Sequence, residues 1–349
     1  MSIRHQFMAM VSVMILLPCL AAAQTPTPAL SKWEQQMLQY GAQHCQMLQG
    51  SSASGDVKLA GTYYDAERVY YQIADYTNDS KWLDCARAAE QVYRDGYLLG
   101  NNGGLPGYWV FPHGLWKDYK RTGDASSKNA LLLVSQNAAY AYDGTPLGDL
   151  SDPTLSREVA YNLQSKILAK DLGASIDASM NRLAEEAFTH MNAWFVTKTA
   201  PFIQPFMVGL TSEALINYYK KTGDARVLPA IRLAMDYLWN NLWVSSVQAF
   251  LYIDRAVASE GGQAAVQPAP DLNLLIAPAF GWLYNQTGDT KWLDRGDQIF
   301  ASGVAQAYLQ NAKQFNQSYR WSFDYIAWRN KTGKVFVTFD STPDGTAPL

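Results

Sequence analysis

One phrase recurs along this chain and limits what it can fold into. It reads Tyr76-Thr77-Asn78-Asp79, then Lys120-Arg121-Thr122-Gly123-Asp124, then Lys221-Thr222-Gly223-Asp224, then Asn285-Gln286-Thr287-Gly288-Asp289. A tyrosine stands in or shortly before each copy: Tyr76, Tyr119, Tyr219 and Tyr284. Three copies lead into a new apolar series at Trp82-Leu83, Val227-Leu228 and Trp292-Leu293. This is the pattern of a tight turn between two helices. Gly or Asn takes the left-handed conformation that ends the first helix, and Asp accepts the free N–H groups that open the second. Successive aspartates stand 45, 100 and 65 residues apart. The gap of 100 leaves room for one degenerate turn, for which Lys170-Asp171-Leu172-Gly173 is the candidate. Repeats of this length build stacked helical pairs.

Apolar periodicity near 3.6 predicts a helix on each side of every turn. One set precedes the turns: 63–76, 111–121, 157–170, 206–221 and 274–285. The other follows them: 80–97, 125–142, 175–195, 225–243 and 290–310. Helices over 32–48 and 319–329 complete about twelve, or six hairpins. Strand signal is confined to Val335–Phe339 in the tail. The turns with the repeat are short, whereas the return connections are long: 50–62, 98–112, 143–153, 196–205, 244–273 and 311–318. In a ring of hairpins the long connections share one face, and long loops on a rigid scaffold are where function concentrates.

The chain opens with Arg4 and His5, an apolar run from Phe7 to Leu20, and Ala21-Ala22-Ala23 before Gln24. That is the layout of a signal peptide over 1–23, with release to the periplasm or the exterior; a lipoprotein reading through Cys19 has Pro18 where a small residue is expected. The remainder divides into a helical domain over 24–331 and a tail over 332–349. No later segment is long and apolar enough to span a bilayer. Cys45 and Cys85 remain, on predicted helices of neighbouring hairpins, and admit either a disulfide or two buried thiols. A net charge of −3 without a basic patch argues against nucleic acid as a partner. Aromatic residues make up 13% of the chain, with 11 Trp and 21 Tyr, enough to supply both a core and a cleft that stacks on sugar faces.

The helix that runs from Val208-Gly209-Leu210 through Tyr219 to Thr222-Gly223-Asp224 resembles those of the (α/α)6-toroid carbohydrate-active enzymes. These six-hairpin proteins include glycoside hydrolases, among them unsaturated-glucuronyl hydrolases, and several polysaccharide lyases. The resemblance covers most of the mature chain and rests on a turn signature. It implies an all-α toroid with its cleft at the starts of the inner helices, the same face that the loop lengths single out. It carries over no catalytic residue, since no catalytic motif of the group matches here.

Candidate site residues follow from that face. Tyr64 and Asp65 open the first inner helix, where Arg68 and Tyr71 share a face with Tyr64; Asp65 is either a catalytic carboxylate or the third residue of a capping box begun by Thr62. Tyr108, Trp109, His113 and Trp116 belong to an aromatic stretch entering the second inner helix, with His113 as proton carrier, sugar ligand or packed core histidine. Glu158, with Arg157 and Tyr161, opens the third and suits the helix dipole. Glu213 lies two turns into the fourth and matters if buried. The longest connection carries Asp254-Arg255, Glu260 and Asp271 and is long enough for a lid. Tyr319, Arg320, Trp321 and Asp324 close the ring.

The leading expectation is a polysaccharide-degrading glycoside hydrolase, which needs two carboxyl groups across the scissile bond; Asp65 with Asp324 is the favoured pair, because the first and last hairpins become neighbours on closure. The first alternative is a polysaccharide lyase acting on a uronate glycan. There Arg68 or Arg320 neutralises the substrate carboxylate and His113, Tyr64 or Tyr319 moves the proton. The second is a non-catalytic glycan-binding protein. No P-loop, GxSxG elbow, HExxH or zinc-type cysteine pair is present, so no metal or cofactor is called for, although acidic loops could bind calcium weakly. The expected state is a monomer.

Overall fold

The computed structural model describes residues 25–141 and 147–331. The expected signal peptide over 1–23 and the expected strand Val335–Phe339 lie outside them. In chain order the helices are α1 (Leu30–Gln49), α2 (Gly55–Gly61), α3 (Ala66–Thr77), α4 (Lys81–Glu90), α5 (Pro112–Thr122), α6 (Ala125–Asn137), α7 (Leu147–Leu150), α8 (Ser156–Asp171), α9 (Asp177–Phe195), α10 (Pro205–Thr222), α11 (Val227–Asn241), α12 (Ala277–Thr287), α13 (Thr290–Gln306), α14 (Ala312–Tyr319) and α15 (Ser322–Arg329). The chain is an (α/α)6 toroid. Its inner ring runs α3, α5, α8, α10, α12 and α15, each packed on the next, and α14 returns to α3. The outer helices are α1, α4, α6, α9, α11 and α13. Inner helices are buried on nearly every side; in α10 all residues from Pro205 to Tyr218 except Met207 are buried. A helix apolar all round belongs inside a molecule of this size.

The recurring turn works as its chemistry dictates. Asn78, Gly123, Gly223 and Gly288 all take positive φ. The carboxylates of Asp79, Asp124, Asp224 and Asp289 each accept the N–H two residues on. The threonine has its own part. Thr122 Oγ1 donates back to the Asp118 carbonyl at 2.8 Å and accepts the Asp124 N–H at 3.1 Å, and Thr222 and Thr287 repeat both bonds. Orphaned groups at the end of one helix and the start of the next are thus satisfied by three consecutive residues. The degenerate turn is also present, with Gly173 at φ 89°; it lacks an Asp cap, and α9 begins only at Asp177.

Several boundaries differ from expectation. The first inner helix begins at Ala66 and not Tyr63, because Tyr64 and Asp65 are left-handed. The helix after the first turn continues beyond Glu90 as a π-helix, Gln91–Leu98. The outer helix expected to reach residue 142 ends at Asn137. Residues 311–318, expected as a loop, are largely α14, in which Ala312 and every residue from Phe315 to Tyr319 are buried. The longest connection holds a two-stranded ladder, β1 (Trp243–Val244) with β2 (Ala249–Phe250), which the sequence did not lead us to expect.

Two close contacts tie neighbouring helices within each shell. Gly209 on α10 lies against the 3-10 turn Pro270–Leu275 before α12, where a Cβ would stand 2.3 Å from the Leu275 carbonyl oxygen; a side chain there has no room. Cys45 and Cys85 form a disulfide between α1 and α4, settling the two alternatives. Cys85→Ser should lower stability by about 2–4 kcal/mol, as for a cross-link closing a loop of this size, measured as the shift in urea midpoint relative to the oxidised wild type. An unchanged midpoint would show that α1 is held by packing alone.

Candidate functional site

The ring axis is occupied by charge. Glu213 on α10 is fully buried and receives Arg68 Nη1 at 2.6 Å and Arg320 Nη2 at 2.8 Å. Arg68 comes from the first turn of α3, and Arg320 from the break between α14 and α15. Arg68 Nη2 also lies 3.7 Å from Asp324 Oδ2 on α15, and Arg320 Nη1 donates to the Tyr161 hydroxyl at 3.1 Å. Burial alone would push the Glu213 carboxyl up, but the guanidiniums of Arg320 and Arg68 hold it below its ordinary value. Asp324 goes the other way. Burial pushes its carboxyl up, against the pull of Lys220 and Arg68, and the charge of Glu213 adds to the rise. Its Oδ1 is buried without a hydrogen-bond partner among the described residues. Two carboxyl groups that share Arg68 are therefore shifted in opposite directions, the arrangement expected of an acid and a charged partner.

The head of α3 is built around Asp65. Tyr64 and Asp65 both have φ 67°, a conformation that costs a residue with a Cβ and persists only where its surroundings enforce it. Here α14 does so: Asn316 Nδ2 donates to the carbonyls of Gly61 and Tyr63 at 2.8 and 2.9 Å. The Asp65 carboxylate then accepts the N–H of Arg68 at 3.1 Å, of His113 at 3.0 Å and of Gly114 at 3.2 Å. It caps its own helix and α5 together. Burial pushes this carboxyl up, opposed by Arg68 and the backbone N–H groups. The capping box begun by Thr62 does not form, since Thr62 Oγ1 donates to the Leu59 carbonyl; the cap is Asp65 itself. Asp65→Ala should cost about 1–3 kcal/mol by leaving N–H groups of two helices unpaired, while Asp65→Asn, which keeps one acceptor oxygen, should cost less. Thermal unfolding of both variants checks the order.

Around the loop end of the axis lies an aromatic wall. Tyr63 meets Tyr64, Trp109 and Phe111 edge to face, with ring centroids 4.9–5.1 Å apart. Arg157 lies 5.2 Å over the ring of Tyr108, which is 40% exposed, and bonds Glu158 at 3.0 Å. Across from them Tyr252 of the long connection stacks on Phe206 at 5.4 Å. Gln204 holds that connection down through Glu260 at 3.1 Å. Gly107 lets the aromatic loop lie on the head of α8, where a Cβ would stand 2.9 Å from Glu158 Cγ.

The structure thus gathers Tyr64, Asp65, Arg68, His113, Glu213, Arg320 and Asp324 near the axis, with Tyr108 and Trp109 at its rim. His113 is buried; burial, and then the charges of Arg68, Arg320, Lys117 and Lys220, push its imidazole well below its ordinary value, so it is neutral near pH 7. Asp271 is half-buried beside α14, its carbonyl accepting from Gln317 at 3.0 Å, and burial raises its carboxyl. Three residues expected at the site are not brought there. Trp116 Nε1 donates to Asp171 at 2.8 Å, at the turn end of α8. The Tyr319 hydroxyl donates to the Trp33 carbonyl at 2.8 Å, on the α1 side of α14. Trp321 is buried against Trp328. Tyr64 and Tyr71 do not share a helical face, because Tyr64 precedes the helix and Tyr71 bonds Asp118 at 2.7 Å. Sequence reasoning passed over Tyr63, Tyr252 and Lys220, and set Arg157, Glu158 and Tyr161 aside as a helix start. The i, i+4 spacing of Arg157 and Tyr161 at the mouth of an inner helix was the available signal.

No family model matches the chain, and no curated protein matches it in sequence. Among solved structures it is similar to an unsaturated glucuronyl hydrolase specific for heparin, with a TM-score of 0.62 and 10% identity over 87% of this chain and 98% of that one. At that identity the likeness is one of fold.

Proposed function

We propose that this chain is an exported glycan-degrading enzyme of the glycoside hydrolase type, working at the loop end of its ring axis. The observation that carries the proposal is the opposed pair about Arg68: Glu213 held ionised between two guanidiniums and Asp324 pushed toward its protonated form. Hydrolysis of a glycosidic bond needs one carboxyl group to give a proton and a second to stay charged. Asp324 serves as the donor and Glu213 as the charged partner, which holds Arg68 and Arg320 in place beside it. Asp65, first favoured as Asp324's partner, has its oxygens committed to the N–H groups of α3 and α5 and acts by positioning Arg68 and His113. The aromatic rim of Tyr63, Tyr108, Trp109 and Tyr252 supplies faces for sugar rings. The fold of the similar hydrolase supports the reading, and the Cys45–Cys85 disulfide supports an oxidising compartment.

Elimination is the second reading, favoured by the Arg320–Tyr161 hydrogen bond, since a tyrosine beside a guanidinium is a fitting base for a uronate. Burial pushes both Tyr161 and Tyr64 up and away from the phenolate form, which is why hydrolysis leads. The purified protein should be incubated with a panel of neutral and uronate glycans and followed for reducing ends and for ultraviolet absorbance of unsaturated products. Reducing ends without new absorbance are expected. New absorbance from a saturated substrate would replace the acid pair with the tyrosine.

A further inference from the structure

Three acidic side chains meet between α3, α4 and α5, on the side of α3 that faces its neighbours and not the axis. They are Glu67 from the first turn of α3, Glu90 from the end of α4 and Asp118 from the middle of α5. Each offers an oxygen, and these oxygens all lie within 4.8 Å of one another. All three residues are buried, with 3–5% exposure. Asp118 accepts from the Tyr71 hydroxyl at 2.7 Å and from Ser127 Oγ at 2.6 Å, and Glu90 accepts from Arg94. Glu67 is different: among the described residues neither of its carboxylate oxygens has a hydrogen-bond partner.

The charges do not balance. Arg94 is shared among Glu90, Asp124 at 2.7 Å, Asp95 at 2.7 Å and Asp118 at 3.8 Å. Asp95 and Asp124 are partly solvated, so water can serve them. Glu67, Glu90 and Asp118 are closed off from solvent and face one guanidinium. A buried carboxylate in that position must find a cation or take a proton. The backbone has made room for the cluster. Gly114 stands one helical turn before Asp118 on α5, and a Cβ there would lie 2.8 Å from Glu67 Oε2. The π-helical stretch that begins directly after Glu90 is a wide turn of the kind found at functional sites.

We propose that Glu67, Glu90 and Asp118 bind one divalent metal ion, and that calcium is the ion that fits. The donors are all oxygen, which selects a hard cation. Two ligands of a calcium ion stand at most about 4.8 Å apart, twice a bond of roughly 2.4 Å, and the three oxygens lie within that limit. One dipositive ion together with Arg94 neutralises the three carboxylates. The hydroxyls of Tyr71 and Ser127, already bonded to Asp118, form a second shell that orients it. The half-solvated Asp95 and Asp124 give a cation an acidic approach. The ion would tie α3, α4 and α5 together two residues from Asp65, and its role would be structural.

The test uses the full chain, stripped with EDTA, with calcium binding measured by equilibrium dialysis and thermal unfolding followed with and without calcium. One ion per chain is expected, with a rise in Tm of about 4 °C at a hundredfold excess over Kd. Glu67→Gln should lose both the ion and the shift while being at least as stable as the stripped wild type, because it removes an unpaired buried charge. Glu90→Gln is the second variant, with the same expected loss, should the first fail to fold. Absence of binding by the wild type would overturn the proposal and assign a proton to Glu67, as would calcium binding that survives in the variants, which would place the ion elsewhere.

Discussion

Glu213→Gln should lower the stability of this protein by about 3–5 kcal/mol, the cost of breaking a buried ion pair from one side. The carboxylate is the shared counterion of Arg68 and Arg320, and both guanidiniums are buried. Among the described residues Arg68 Nε and Nη2 and Arg320 Nε lack hydrogen-bond partners, so without Glu213 the arginines keep the 3.7 Å contact with Asp324 and the Tyr161 hydroxyl. Urea unfolding at pH 7 measures the loss. Adding Arg68→Met to the Gln variant should recover part of it, since one orphaned charge is then gone. The pH dependence has a definite sign. The folded pKa of Glu213 lies below its ordinary 4.5, so its contribution is complete above that pH and is lost as pH falls through the depressed folded value. The gap between wild type and variant should therefore narrow in strong acid. A gap independent of pH would mean that shape, and not charge, is what glutamine fails to supply.

Asp324→Asn should reduce turnover of a glycan substrate by roughly 10²–10⁴-fold, the range for loss of a general acid, while leaving the unfolding midpoint near that of the wild type. The two halves of this expectation share a cause. Burial pushes the Asp324 carboxyl toward its neutral form, and a neutral carboxylic acid is nearly isosteric with a carboxamide. The substitution removes the transferable proton and little else. Activity that survives in Asp324→Asn, on a substrate the wild type degrades, would move the donor role to another carboxyl, with Glu158 at the rim the next to examine. A collapse in stability without catalytic loss per folded molecule would make Asp324 a packing residue.

The toroid was legible because its turns are local. Thr122, Gly123 and Asp124 satisfy one another's neighbourhood within five or six residues, so their chemistry can be read in a row. The helix α14 was missed for a lesser reason: Asn311, Lys313, Gln314, Asn316, Gln317 and Ser318 read as a polar connection, and the apolar line of Ala312, Phe315 and Tyr319 among them is sparse. Asp65 is another matter. Its left-handed backbone is enforced by Asn316, about 250 residues away in sequence, and no local pattern announces it. Arg68, Glu213, Arg320 and Asp324 were each singled out for charge and position, yet their mutual pairing arises only when three inner helices converge. Trp116 and Tyr319 show the converse. An aromatic residue near the right end of a helix was read as lining a cleft, and the helical phase turns both toward other helices. Glu67, Glu90 and Asp118 lie on three helices without motif spacing, so a search for metal signatures passes over them.

The ring closes through residues from opposite ends of the described chain. Arg329 donates to the carbonyls of Thr25 and Pro26, Thr27 bonds Asn330, and Trp33 of α1 packs among Phe300, Tyr319 and Phe323. These contacts span close to 300 residues, so the circle is sealed by its own two ends, much as a belt is fastened. Local hairpins can form as the chain emerges, but the belt cannot be buckled before α15 exists. Contacts so distant in sequence slow the final step of folding. The axis charges of Arg68 and Glu213 meet Arg320 and Asp324 only at that step, so an incomplete ring holds unmatched charge at its centre and has every electrostatic reason to close.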